Sequence, residues 1–150
     1  MPDYAFNRQA SYDYEFLEKY EAGLVLSGQE VKSIRAGRLS LQGAYVVINQ
    51  QEPFLINANL PPYQPNNTPA NYDPTRSRKI LLNKKEILAL LGRVSQSGLT
   101  LVPIRVYNKS GKIKLEFALA RGKKRYDKRE QIGRRDANRK IQRAVRGKIE

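Results

Sequence analysis

The residues best equipped to do chemistry in this chain are its cations. Among 150 residues there are 28 lysines and arginines against 14 aspartates and glutamates, a formal net charge of +14, with neither cysteine nor histidine. A catalyst built from this alphabet would have to work through carboxylates, lysine, serine or tyrosine. Asp13 and Glu15 share one parity of an alternating stretch, but alternating acids on a strand face are ordinarily only solvated. Asp73 precedes Pro74, where an Asx turn accounts for it equally well. No phosphate-binding loop, dinucleotide glycine pattern or nucleophile elbow occurs. Disulfides and zinc–thiolate sites are excluded by composition, and the commonest zinc ligand is missing. Neither catalysis, a metal nor another cofactor is expected.

What the cations can do is neutralise phosphate. Such an excess of positive charge points to a polyanionic partner, nucleic acid ahead of an anionic membrane surface. From Arg121 to Glu150 there are 13 basic and 4 acidic residues, a net of +9, and the first 120 residues carry the other +5. Lys32 and Arg35 stand about one helical turn apart, with Arg38 just beyond. On its own this stripe reads most simply as a solvated helix face. The run RSRK, from Arg76 to Lys79, makes a second cluster, and Lys112 with Lys114 a third. Three clusters from separate segments favour an RNA surface, because phosphate neutralisation is additive. Asn7, Tyr12, Tyr63 and Tyr72 can stack on unpaired bases or bond to their edges, although each alone is more often a packing or turn residue.

These residues need elements to position them. In YDYEFLEKYEAGLVL, Tyr12, Tyr14, Phe16, Tyr20, Ala22, Leu24 and Leu26 share one parity, which predicts a long strand with a bulge at Gly23. SGQE then supplies a capping box, Ser27 with Glu30, for the helix VKSIRA, which buries Val31 and Ile34 and stops at Gly37. Short strands follow in GAYVVINQ and PFLINANL, joined near Gln51 and Glu52. PPYQPNNTPANYDPTRSRK holds five of the eight prolines and reads as a loop, disordered or functional. NKKE, Asn83 to Glu86, forms a second capping box for a helix with Ile87, Leu90, Leu91 and Val94 on one face, ending before Gly98. LTLVPIRVY–NKSG–KIKLEFALA is a hairpin with Lys112 and Lys114 on its outward face. About five antiparallel strands with two or three short helices predict a mainly β protein, an OB-fold-like barrel over residues 1–122. A twisted sheet packed by two helices is the alternative.

The remainder, residues 123–150, is a basic tail whose sizeable apolar residues are only Tyr126, Ile132, Ile141, Val145 and Ile149. That is too little to offset chain entropy, so the tail is expected to be disordered in isolation. Ala137, Ile141, Val145 and Ile149 are spaced by four, so a helix with a thin apolar stripe can form once RNA neutralises the charge. Met1 is not followed by a signal-peptide core, and no stretch approaches 18 apolar residues. A soluble, cytoplasmic, monomeric protein without a membrane partner is expected.

Three stretches carry a specific combined pattern: NRQASYDYEFLEKYEAGLVLSGQEVKSIRAGR, YDPTRSRKILLNKKEI and ARGKKRYDKRE. With them the sequence resembles the SsrA-binding protein family, also called small protein B. The resemblance implies an OB-type barrel that binds the transfer-RNA-like part of transfer-messenger RNA (tmRNA) and takes it to stalled ribosomes in trans-translation. The partners it implies are tmRNA, the small-subunit decoding region and, indirectly, the complex of elongation factor Tu with alanyl-tmRNA. The tail is then expected to fold in the empty decoding centre and messenger channel.

By motif, Asn7, Glu21, Leu81 and Lys114 match RNA-binding positions of that family, and Arg8, Tyr12, Lys32, Arg35, Arg38, Arg76, Lys79 and Lys112 join them on charge or stacking capacity. Glu21 would accept hydrogen bonds from base amino or imino groups, which phosphate contacts cannot replace as a source of selectivity. A rim ion pair with Lys19 or Arg8 is its plain alternative. Gly122, Lys123 and Lys124 match the hinge, and Asp127, Lys128 and Arg129 the ribosome-engaging motif beside Tyr126. Beyond Glu130 only basic character is shared, at Arg134, Arg135, Arg139, Lys140 and Arg143. Tyr12 and Tyr72 stand where many relatives place histidine, which keeps stacking and removes a protonatable imidazole. The competing reading is a structural ribosomal protein with an RNA-penetrating extension.

Overall fold

The computed structural model describes residues 3–68, 70–95 and 98–123. The tail expectations, from Lys124 through Tyr126, Asp127, Lys128, Arg129, Arg134, Arg135, Arg139 and Lys140 to Arg143, lie outside the described residues. In chain order the elements are β1 (Asp3–Phe6), α1 (Arg8–Asp13), β2 (Tyr14–Leu24), α2 (Gly28–Arg35), β3 (Tyr45–Asn49), β4 (Glu52–Ile56), β5 (Arg78–Leu81), α3 (Lys84–Val94), β6 (Leu99–Lys109) and β7 (Lys112–Gly122). One turn of 3-10 helix, Pro65–Asn67, lies in the proline-rich loop.

Pairing is antiparallel throughout and runs β3–β4–β5–β2–β7–β6, and β6 returns to β3 through Val46 and Leu101. The result is a closed OB-fold-like barrel of six strands, with β1 added along β6. Closure leaves the long strands of the ring without the open edge that invites aggregation. The interior is filled by Leu55, Leu101, Val106, Leu115, Phe117 and Leu119, joined by Ile34 from α2 and Leu90 from α3. Tyr20 stacks on Phe117 with ring centroids 5.5 Å apart.

Two strands exceed the five expected. β1 is only four residues long, too short to show a period. β5 closes the ring, pairing with Gly23 and Leu24 on one side and with Phe54 and Leu55 on the other. Its sequence, RKIL, reads as the end of a basic loop because it opens on two cations.

The long alternating segment is also not one strand. Tyr12 and Asp13 close α1, so Asp13 and Glu15 do not share a strand face. The bulge falls at Leu17, where the register against β7 slips between Phe16 and Glu18, and not at Gly23, which pairs regularly. Phe16 therefore opposes Ala120 while Tyr20 opposes Phe117, on opposite faces of β7. A second irregularity between Pro103 and Arg105 does the same to β6.

Local chemistry sets the remaining boundaries. Ser27 Oγ accepts the Glu30 amide at 3.2 Å and Glu30 Oε1 accepts the Ser27 amide at 3.0 Å, completing the first capping box. Gly37, at φ 78°, ends α2, and Ser33 and Ile34 carbonyls accept the Arg38 and Gly37 amides. Ile34 is buried as expected, but Val31 is only half-buried and the buried neighbours are Glu30 and Ser33. Of the second box only the Asn83 half is seen, its side chain accepting the Glu86 amide at 2.9 Å. The β3–β4 turn is Gln50–Gln51, both at positive φ, so Glu52 is already in strand. Ser110 and Gly111, also at positive φ, make the last hairpin turn, which leaves Asn108 and Lys109 in β6.

Candidate nucleic-acid interface

Directly opposed residues in an antiparallel pair share a face, so register alone lays out the outer wall of the barrel. Leu115, Phe117 and Leu119 point into the core, which turns Lys112, Lys114 and Glu116 outward. Lys114 opposes Tyr107 on β6 and Gly23 on β2, and Gly23 opposes Leu81 on β5. One residue-pair away, Glu116 opposes Arg105 and Glu21. Glu21, Leu81 and Lys114, far apart in sequence, thus occupy neighbouring positions on one outer face. Leu81 lies over Gly23, where a Cβ would meet its Cδ1 at 3.4 Å, and it remains 54% exposed. An apolar side chain so exposed between strands is suited to contact a base or ribose.

Glu21 is held by partners other than Lys19 or Arg8. Tyr107 donates its hydroxyl to Oε2, and Lys109 Nζ donates to Oε1 at 3.1 Å and to Oε2 at 3.3 Å. The Tyr107 hydrogen bond, followed by that of Lys109, holds the carboxyl below its ordinary range, against a smaller push from burial. Burial, and then the Glu21 carboxylate, push the Tyr107 phenol up. Glu21 is therefore an anion here, an acceptor only.

Asn7 sits between β1 and α1 with its Nδ2 donating to the Pro103 carbonyl at 3.0 Å and its amide to that of Ile104 at 2.7 Å. That places it beside β6 immediately before Arg105. Arg8 is exposed on α1 and Tyr12 is half-buried there. The α2 stripe meets the hairpin: Arg35 Nη2 donates to the Gly111 carbonyl at 3.1 Å, which brings Lys32 and Arg35 toward Lys109 and Lys112. The side chains of Lys32 and Lys114 have no hydrogen-bond or ion-pair partner among the described residues. Two of the three expected clusters are therefore one.

The third loses Arg78 to the interior, while Arg76 and Lys79 stay partly exposed. Arg78 is 1% exposed and donates to Glu30 Oε2 at 2.7 Å and to the Ala58, Arg76 and Pro74 carbonyls. Arg76 pairs with the same carboxylate, and Lys79 stands outside, 3.5 Å from Glu52. Burial pushes the Glu30 carboxyl up, but Arg76, the Ser27 amide and Arg78 outweigh it and hold it below the ordinary range. Arg38, though exposed, bonds to the proline-rich loop: it donates to the Pro62 and Tyr63 carbonyls, and its guanidinium lies 5.7 Å from the Tyr63 ring centroid. Ser33 donates to the Pro61 carbonyl at 2.7 Å, and Tyr72 to that of Leu60 at 2.7 Å. The proline-rich loop is thus tied to α2 and the barrel. At the tail's root, Gly122 pairs with Tyr14 inside β2–β7, and Lys123 donates its amide to Asp13 O at 2.8 Å and its Nζ to Ser11 O at 2.9 Å. The chain is therefore fixed through residue 123.

Arg105, Tyr107 and Lys109 are not singled out by sequence. Continuing strand parity past Val106 would place them outward, but NKSG draws Lys109 into the turn.

The SmpB protein family matches residues 4–147. The chain belongs to the SmpB family. Curated SmpB-like relatives agree over nearly their whole length. The SsrA-binding protein of Sulfurihydrogenibium sp. (strain YO3AOP1) is 51% identical over 145 residues, 97% of this chain and 95% of that one. That of Trichodesmium erythraeum (strain IMS101) is 51% identical over 140 residues, 93% and 90% of the two chains. A solved structure described as "tmRNA-SmpB: a journey to the center of the bacterial ribosome" is 47% identical, with TM-score 0.64, covering 85% of this chain and 92% of that one. For an SmpB chain, the joined cation stripe makes a direct prediction. Lys32→Glu with Lys112→Glu should weaken RNA binding and lower the slope of log K against log salt by about one for each phosphate no longer neutralised, read by filter binding across a salt series.

Proposed function

We propose that this chain is a non-enzymatic tmRNA-binding adaptor of trans-translation that delivers its RNA to stalled ribosomes. One observation carries the assignment to a surface: Glu21, Leu81 and Lys114 stand side by side on the outer sheet face, next to the cations of α2 and the hairpin. Phosphate contacts there supply affinity, and the anionic Glu21 with the apolar Leu81 supplies what phosphate contacts lack, a preference among bases. Membership of the SmpB family and the SsrA-binding relatives support tmRNA as the partner. No helix among the described residues is long and apolar enough to cross a membrane.

Within this function we assign the barrel, residues 1–122, to the transfer-RNA-like part of tmRNA, with Asn7 and Arg8 at its margin. The segment 123–150 is assigned to the empty decoding centre and messenger channel, where Asp127, Lys128 and Arg129 would make its first contacts. The protein would act as a monomer in the cytoplasm, with elongation factor Tu joining through the alanyl-charged RNA.

The test is to purify the tagged full-length chain at moderate salt and sequence the RNA that comes with it. tmRNA should dominate, and the protein should be substoichiometric on washed ribosomes. Recovery of ribosomal RNA alone, with protein and ribosomes equimolar, would instead identify a structural ribosomal protein.

A further inference from the structure

A carboxylate recognises a base edge only if its oxygens face the right way, and an exposed glutamate ordinarily samples many rotamers. Glu21 does not have that freedom. Tyr107 donates to one of its oxygens, and Lys109 bridges both. Tyr107 itself is 6% exposed although it lies on the outer wall, because Arg105 covers its ring, with the guanidinium carbon 4.1 Å from the centroid. Arg105 is anchored in turn, donating to Asp3 at 2.9 Å and to Glu116 at 3.4 Å. A brace thus runs from β1 through β6 and β7 and ends on a single carboxylate of β2. A buried phenol capped by a guanidinium cannot itself meet a base.

We propose that Tyr107 is a positioning residue for RNA recognition: its hydroxyl fixes the Glu21 carboxylate so that its remaining lone pairs face outward toward amino and imino donors of an RNA, while Arg105 holds the Tyr107 ring in place. The proposal rests on the reading that Glu21 contacts the RNA. The same hydroxyl keeps Glu21 ionised, among Tyr107, Lys109 and Arg105 of β6, Lys114 and Glu116 of β7, Lys19 of its own strand and Asp3 of β1.

The test uses the full-length chain and a tmRNA transcript, with a random-sequence duplex RNA as control. Tyr107→Phe keeps the ring under Arg105 and should weaken tmRNA binding about tenfold, as loss of one hydrogen bond to an oriented charge predicts, with an unchanged salt slope. Glu21→Gln should lose at least as much, and the double variant should bind no worse than Glu21→Gln alone. Because Tyr107→Phe raises the Glu21 pKa, its binding should also fade at a higher pH than that of the parent chain as the solution is acidified. Arg105→Gln, which frees the ring, should give a smaller loss that likewise vanishes in the Glu21→Gln background. Undiminished binding by Tyr107→Phe, or losses that add in full to that of Glu21→Gln, would overturn the proposal. If the parent chain shows no preference for tmRNA over the duplex, the functional reading itself fails, a result distinct from a Tyr107→Phe variant that binds as the parent does.

Discussion

Glu30→Ala should lower the unfolding free energy by about 3–5 kcal/mol, the penalty for breaking one side of a buried ion pair. Glu30 and Arg78 are each 1% exposed, and the carboxylate also receives Arg76 and the Ser27 amide. Removing it leaves a guanidinium deep in the wall without its carboxylate and takes away the Glu30 half of the α2 capping box at the same time. A surface pair lost in the same way costs at most about 1 kcal/mol. Urea unfolding decides between these figures, through a fall in midpoint at constant m. The pH dependence follows from the sign of the shift. The folded Glu30 carboxyl titrates below its unfolded value, so its contribution is complete above the unfolded pKa of about 4.3 and is lost as pH falls through the lower folded value. Stability of the parent chain should drop on acidification below about pH 4.3, and the Glu30→Ala variant should show a flatter profile there.

Ending the chain after Lys123 should abolish tagging of stalled products while leaving tmRNA affinity within about tenfold at physiological salt. The barrel keeps every strand, every core residue named above and the Glu21–Lys114–Leu81 surface under this truncation. Lys123 is the right place to cut, since its amide and ammonium are bonded to α1 and losing them would disturb the barrel. What is removed lies within a segment, Arg121 to Glu150, of net charge +9, so a modest loss of long-range attraction to RNA is expected. Tagging in a reconstituted translation system, beside tmRNA binding by the same protein, separates the two roles. Loss of both together would place RNA-binding residues in the tail.

Much of the scaffold is legible in the sequence because its signals are local. Ser27 and Glu30 announce a helix start within four residues, and the last hairpin alternates long enough to reveal which face of Lys112 and Lys114 is outward. What stays hidden depends on partners distant in sequence. Arg78 looks like another phosphate ligand in RSRK until Glu30, 48 positions earlier, is found beside it. Arg76 and Arg38 also bond within the chain, and an arginine serving a buried carboxylate or backbone carbonyls has the same neighbours in sequence as one serving RNA. The bulge at Leu17 is set by the fit against β7, and no residue type marks it. Of the site, Glu21 and Leu81 come from the family resemblance, and Lys114 from both the resemblance and its place in the hairpin's cation cluster. That they share one surface is a property of register, which pairs Gly23 with both Leu81 and Lys114.

We propose that RNA binds the outer wall around Glu21, Lys114 and Leu81, and everything functional rests on that placement. It is tested most directly by putting a photo-crosslinking residue at position 81 in the full-length chain, and for comparison at the exposed position 59, which lies beside Pro74 rather than Leu81, then mapping adducts with tmRNA. An efficient crosslink from 81 to one short stretch of the transfer-RNA-like part, with little from 59, is the expected result. Efficient crosslinking at 59 with none at 81 would put the RNA on another side of the barrel.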